Sequence, residues 1–418
     1  MFESVLLDLL FVFSIFCIWL MLIYNAVLIS LAFLYAKKCD WTTQILLAET
    51  RDYPPVSIVI PAHNEELVIE KTLQSMVGLD YEKSKLEVFA VNDGSTDRTE
   101  EIIQSFHAEY PWIHLVNVPK EKARQGKANA LNYGLSLAKH DLIAIYDADN
   151  SPEPKSLKIL VAGLVGDPKI AATVGKVRTI NKEKNILTKF INIEFIAHQW
   201  TAQAGRWVMH GITMLPGTNF VLRKKVLDEV GGWDTQSLTE DTELSLRILS
   251  AGYKIWFLPN AISWEQEPQE WAVWFKQRQR WVQGNYYIIW KYFRYGFKNF
   301  KLFINMVYML FTYYSLIFFV LFSDILFILG FFEMARVNVH GPILLMWFCA
   351  FIMFLAQILI SLGLERREVT LSNVISIILM YFTYSQMWLV MALKTMWKPQ
   401  IMKKTTTMAP HWEKTQRF

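Results

Sequence analysis

The amino-terminal run LLDLLFVFSIFCIWLMLIYNAVLISLAFLYAKK is too apolar and too long to be left in water. A helix crosses the hydrocarbon core of a bilayer with roughly 20 consecutive apolar residues, and this run exceeds that length. It is too long for the core of a signal peptide and has no small-residue cleavage site. Two crossings would need about 40 residues, so a single transmembrane helix over 1–38 is expected. No lysine or arginine precedes the run, whereas Lys37 and Lys38 follow it. The positive-inside rule then puts the amino terminus outside and the next domain in the cytoplasm.

Three more apolar runs, at about 303–332, 343–364 and 372–394, lie near the other end. The same rule places ERRE (365–368) and the tail with Lys394, Lys398, Lys403 and Lys404 in the cytoplasm. Both cannot hold if all three runs are single crossings. One run must be broken, re-entrant or interfacial, and a cytoplasmic tail is expected. The chain divides into the first span (1–38), a cytoplasmic domain (50–265), interfacial helices (266–300), carboxy-terminal membrane helices (301–396) and a tail (397–418).

Between the apolar ends the pattern is that of a soluble domain. VSIVIPA, LEVFAVND and LIAIYDAD are buried strands, separated by segments of helical spacing such as EELVIEKTLQSMVG and GSTDRTEEIIQSF. Continuous Val/Ile/Leu strands alternating with helices imply an α/β fold with a mostly parallel sheet covered on both faces. Its ligand is expected at the carboxyl ends of the strands. A formal charge of +4 suggests no nucleic-acid partner, and none of the three cysteines lies in this domain. There is neither a G-x-G-x-x-G after the first strand nor a G-x-x-x-x-G-K-[ST].

Three strands end in polar clusters: PAHNEE (61–66), NDGSTD (92–97) and DADNS (147–151). Asp and Gly at strand ends also make ordinary turns, but three such ends in succession bring Asp93, Asp147 and Asp149 to one edge. On an extended chain Asp147 and Asp149 point to opposite sides, so one can reach a nucleotide and the other a divalent metal, Mg²⁺ or Mn²⁺. In SLTEDTELSLRILSAGYK, Ser237 and Glu240 have the spacing of a capping box, and Gly252 is expected to end the helix.

PAHNEE, NDGSTD, QGKANALN, DAD, TED and QRQRW occur in this order before the last apolar runs. The chain thereby resembles the membrane-embedded processive family 2 glycosyltransferases, which include cellulose, hyaluronan, chitin-oligomer and poly-N-acetylglucosamine synthases. The resemblance implies a GT-A-type mixed, mostly parallel sheet and inverting transfer from a UDP-sugar to a growing polysaccharide. It implies donor contacts from His63, Glu65, Asp93, Lys127, Asp147, Arg278 and Arg280, and a metal on Asp149. Asp241, with Glu240 beside it, would be the catalytic base. Gln277 and Trp281 would form the acceptor wall, approached by Gly217 and Thr218. The ending HWEKTQRF resembles a gating segment, with Trp412, Lys414 and Arg417 as contacts; a basic tail at anionic lipid is the alternative.

The chemistry asks for such residues. One-step inversion needs a base on the acceptor hydroxyl and positive charge on the departing diphosphate, and no covalent nucleophile. On a helix Gln277, Arg280 and Trp281 share a face, with Trp274 and Arg278 flanking it. Trp271 and Trp274 suit the membrane interface, as does KFINIEFIAHQWTAQAGRW (189–207). His63, His198 and His210 are expected to be structural or substrate-lining. Gly217, Thr218 and Asn219 either contact the acceptor or form a turn into a packed hairpin. A non-processive lipid glycosyltransferase and an inactive scaffold or transporter are the other readings. The carboxylates oppose an inactive scaffold. The sparse intramembrane charge, Asp324 apart, opposes an ion-coupled transporter. No PilZ-like β-barrel is expected in this chain, so second-messenger control would have to come through a partner, for which an accessory or regulatory membrane subunit is a candidate.

Overall fold

The computed structural model describes residues 5–292, 300–311, 316–332 and 342–396. The middle of the chain folds into one eight-stranded sheet of order β3-β2-β1-β4-β7-β6-β8-β5. The strands are β1 (Val56–Ala62), β2 (Leu86–Asn92), β3 (Ile113–Asn117), β4 (Leu142–Ile145), β5 (Ser151–Pro152), β6 (Ile170–Thr179), β7 (Phe220–Arg223) and β8 (Lys254–Glu265). β1, β2, β3 and β4 are mutually parallel, and β6 runs parallel to β8. β7 is antiparallel to both β4 and β6. Every residue of β1 and β2 is buried, as strands covered on both faces must be.

Asn219 joins the two halves of the sheet. Its side-chain amide donates to the Lys176 carbonyl (3.1 Å) and the Ala261 carbonyl (3.0 Å), and it takes a bond from Ser156 Oγ (3.2 Å). It is wholly buried with φ 51°. Of the two roles open to it, the packed hairpin is the one observed.

The first helix runs Val5–Glu49, well past Lys38. Leu9, Phe13, Phe16, Leu20, Ile23, Val27 and Leu34 are exposed along it. Their spacing of three, four and finally seven makes one apolar stripe, the face expected against lipid. The opposite face packs on the domain: a Cβ at Gly205 would fall 2.5 Å from the Leu28 carbonyl oxygen.

By length and composition three helical stretches could cross a membrane among the described residues: Leu7–Glu49, Leu345–Gly363 and Leu371–Thr395. The third is broken at Thr383, whose hydroxyl donates to the Leu379 carbonyl (2.6 Å) and ends the helix Leu371–Phe382. The second half, Tyr384–Met396, packs on the helix Trp271–Tyr292. The first half packs on the helix Ile186–His198, with Lys189 Nζ on Ser372 Oγ at 2.8 Å. The loop before it is also pinned to the domain. Glu365 is bound by Lys176, Arg178 and the Trp200 indole, and Glu368 by Lys182, Asn192 and Asn373. ERRE is therefore held in contact with the middle domain. Of the alternatives left open by the charge pattern, the third run is the one with a break, at Thr383.

Candidate active site

The parallel register Ala62↔Asn92 brings the ends of β1 and β2 level. His63 Nδ1 donates to the Asp93 carbonyl (2.8 Å), and the Glu65 amide donates to Thr99 Oγ1 (2.7 Å). Asp93 is wholly buried. The Arg124 amide donates to its Oδ1 (2.8 Å), and Oδ2 has no hydrogen-bond partner among the described residues. Burial pushes this carboxyl above the ordinary range, against the Arg124 amide and the charges of His63 and Arg124. Its Oδ2 is a buried polar atom for which the described residues supply no partner.

Lys127, first residue of the helix Lys127–Leu137, gathers the next three segments. Its Nζ lies 2.5 Å from Asp147 Oδ1, 3.0 Å from the Gly217 carbonyl and 3.9 Å from Glu240 Oε1. Burial pulls the ammonium down, but Asp147 and Glu240 outweigh it and hold the lysine charged. Thr218 Oγ1 accepts from the Asp147 amide (3.0 Å). Gly217 sits at φ +90°, and a Cβ there would lie 3.1 Å from Asp241 Oδ2 and 3.5 Å from Lys127 Nζ. Only glycine leaves this space open in that conformation.

Asp241 and Glu240 begin the helix Glu240–Ser250. The capping box expected from Ser237 and Glu240 is not formed. The residue before the helix is Thr239, whose amide donates to Ser237 Oγ (3.3 Å), so the serine closes its own turn instead. Gly252, at φ +90°, does follow the last turn. The Thr242 amide donates to Asp241 Oδ1 (2.7 Å). Burial, and then Glu240, push the Asp241 carboxyl up to about 7, with Lys127, the Thr242 amide and Arg280 opposing. That range is typical of a general base.

β4 stops at Ile145, where its antiparallel partner β7 begins at Phe220. Asp147 and Asp149 consequently lie in a turn, closed by the Asn150 amide on the Asp147 carbonyl (3.0 Å), rather than on an extended chain. Their separation is that of a turn: Asp147 faces Lys127, while Asp149 lies toward Glu265. Burial, Glu267, Asp149 and Asp147 together drive the Glu265 carboxyl well up. Asp149 thus belongs to a group of carboxylates at this turn, with Asp147, Glu265 and Glu267. This suits a divalent cation that takes one carboxylate and completes its shell from a ligand's phosphates. Among the described residues no cluster of three or more metal-binding side chains makes an all-protein cage.

The helix Trp271–Tyr292 carries Gln277, Arg278, Arg280 and Trp281. Arg278 is wholly buried. It donates to Glu194 Oε2 (2.8 Å) and to Gln277 Oε1 (2.8 Å), and its guanidinium lies 3.9 Å from the centre of the Trp281 ring. Trp281 also stacks on Phe195, with centroids 6.4 Å apart and an interplanar angle of 24°. Arg280 is only partly buried and close enough to Asp241 to stabilise its charge. Trp274, expected as a membrane-interface anchor, is instead fully buried, its indole N–H donating to Tyr384 OH (2.9 Å). Trp271, partly exposed beside it, packs edge-on against the Trp274 ring, with centroids 5.7 Å apart.

The structure thus gathers Lys127, Asp147, Gly217, Thr218, Glu240 and Asp241, with Arg280 near. His63, Glu65 and Asp93 form an adjoining edge, joined through residues 124–127. Trp412, Lys414 and Arg417 lie outside the described residues. Glu194 and Tyr384 were not singled out by sequence. The only signal for Glu194 was a lone acid in the aromatic segment 189–207.

A glycosyltransferase like family 2 model matches residues 54–284. Over 411 residues, 98% of each chain, the protein is 40% identical to the probable glycosyltransferase YdaM of Bacillus subtilis (strain 168). It is 31% identical over 234 residues to a poly-beta-1,6-N-acetyl-D-glucosamine synthase of Staphylococcus aureus (strain COL), a match covering 56% of this chain and 55% of the relative. In fold it resembles a Pyrobaculum calidifontis mannosyltransferase, PcManGT, solved in complex with GDP-Man and Mn2+. The TM-score is 0.57 at 21% identity, covering 90% of this chain and 99% of the other. The mixed sheet, the carboxylates at its strand ends and these matches together make the chain a member of glycosyltransferase family 2.

Proposed function

We propose that the protein is a processive, inverting β-glycosyltransferase that polymerises sugar from UDP-glucose or UDP-N-acetylglucosamine into an exopolysaccharide and passes it across the membrane. The observation that carries this reading is the junction at Gly217. On one side Lys127 neutralises Asp147 and reaches Glu240; on the other stands Asp241, half-ionised near neutral pH. A cation beside the leaving group and a base across a gap kept open by glycine are what single displacement requires.

In this reading the open Oδ2 of Asp93 accepts an imino N–H of the nucleotide base, and Lys127 and Arg280 face the diphosphate, with His63 and Glu65 along the donor edge. Arg278, already paired with Glu194, supports Trp281 from behind and adds positive potential. Asp149 would hold Mg²⁺ or Mn²⁺, which supplies charge to the departing diphosphate when bound. Asp241 takes the proton of the acceptor hydroxyl, with Glu240 raising its basicity. Trp281 offers a flat face to the acceptor sugar, flanked by Gln277, Gly217 and Thr218. The partly matched poly-N-acetylglucosamine synthase supports a polymer product. The stripe on the first helix and the pinned ERRE loop support a membrane protein with its catalytic domain in the cytoplasm; the resemblance of HWEKTQRF to a gating segment supports a tail on that side.

The test is purified protein in nanodiscs, given UDP-glucose, UDP-N-acetylglucosamine or GDP-mannose with Mn²⁺, and products cut by linkage-specific hydrolases. One UDP-sugar should yield chains of many residues, and chelation should abolish turnover. A product of a single sugar on lipid would replace the polymer reading. Trp281→Ala should shorten chains and, from the fall in kcat/KM for acceptor, lose about 1–3 kcal/mol of transition-state stabilisation, the range for losing a buried aromatic's area and stacking. Donor affinity should hold, and an unchanged length distribution would remove Trp281 from the acceptor wall.

A further inference from the structure

The base proposed above sits on a helix that a second helix holds at two points. Thr239 immediately precedes the helix Glu240–Ser250. A Cβ at Gly284, on the helix Trp271–Tyr292, would fall 2.4 Å from Thr239 Oγ1 and 2.6 Å from its Cγ2. Nothing larger than glycine allows the backbone this close. Seven residues on, about two turns along the same face, Lys291 Nζ lies 2.7 Å from Glu243 Oε1 and 2.7 Å from Asp234 Oδ2. Tyr292 OH donates to Glu243 Oε1 (2.6 Å), and Arg247 holds Oε2 at 2.6 Å. Arg247 also donates to the carbonyls of Gly232 (2.7 Å) and Val230, which ties in the segment before the helix.

Glu243 has no exposed surface, so a buried carboxylate is shared by two cations while Asp234 balances the second. Such clusters add little net stability over apolar packing of the same volume, but they fix geometry. Successive residues of a helix are turned by about 100°, so Glu243 points roughly opposite to Asp241. The cluster therefore grips the back of the helix whose front carries the base. The gripping helix is also the one that bears Arg280 and Trp281.

We propose that Lys291 and Glu243 are positioning residues: through them the helix of Arg280 and Trp281 sets where Asp241 stands relative to the acceptor. The inference rests on Asp241 as the base. A shift of about 1 Å at such a centre costs on the order of 10²-fold in rate, whereas the donor contacts of Lys127 and Asp93 do not pass through the cluster.

The experiment compares Lys291→Met, Lys291→Arg and Asp241→Asn in nanodiscs, with turnover expressed per UDP-binding site titrated in the same sample. Lys291→Met should lower kcat about 10- to 100-fold, leave UDP affinity and the pH midpoint of kcat unchanged, and be largely rescued in Lys291→Arg. Wild-type turnover per site in Lys291→Met beside an inactive Asp241→Asn would overturn the positioning role alone. Loss of UDP sites in parallel with turnover, in both lysine variants, would also overturn it, because the cluster would then only hold the fold. Full turnover in Asp241→Asn would instead remove the base on which the inference stands.

Discussion

Asp241→Asn should lower turnover by about 10²–10⁴-fold, the usual worth of a general base, and leave UDP binding intact. The amide keeps the shape and the bond from the Thr242 N–H but cannot take a proton. Wild-type kcat should rise with pH through the region near 7, because burial and Glu240 hold the carboxyl protonated until then. That limb should vanish in the variant. A second readout follows from linkage. The folded-state pKa of this acid lies above its unfolded value of about 3.9. Between the two values the folded state binds more protons than the unfolded chain, so stability falls as pH rises through that window. Asparagine carries no such penalty, and the ligand-free variant should melt above wild type at pH 8. Undiminished turnover would exclude Asp241 as the base, and an unchanged melting difference between pH 5 and pH 8 would exclude the buried charge.

The parallel half of this architecture was readable because buried strands announce themselves by continuous Val/Ile runs, as in VSIVIPA, and their polar ends mark the ligand edge. The second half was not. β7 has four residues, FVLR, and is held by the Asn219 amide rather than by any periodic pattern. Where β4 stops depends on β7, so the turn at Asp147 and Asp149 could not be told from a strand. Spacing alone offered Ser237 as a cap, but its hydroxyl was taken by a nearer amide. Trp274 and Arg278 show a further limit. A tryptophan beside lipid and one beside Tyr384 have the same sequence signature. So do an arginine awaiting phosphate and one already paired with Glu194, 84 positions away. The pairing of motifs along one edge survived these local errors because it rests on strand order, which helices and turns do not alter.

Glu365→Ala should cost about 3–5 kcal/mol of stability, the range for removing one partner of a buried ion cluster. The Glu365 side chain is 2% exposed, and it accepts from Lys176 Nζ (2.7 Å), Arg178 and the Trp200 indole (2.8 Å). Burial already draws the Lys176 ammonium below its ordinary range, with Glu365 opposing. Without the carboxylate, Lys176 must lose its proton or carry an unpaired charge beside that of Arg178. The structural consequence is specific, since Glu365 anchors the turn between two apolar helices to β6. Arg366 and Arg367 are exposed in that turn, with Arg367 at φ 63°. Trypsin should therefore cut there faster in the variant. Replacing Lys176, Arg178 and Glu365 together by apolar residues of similar volume should restore most of the melting temperature, because the penalty belongs to the orphaned cations and not to the lost contact. Wild-type melting and proteolysis in Glu365→Ala would show that this apolar hairpin is held to the catalytic domain by other means.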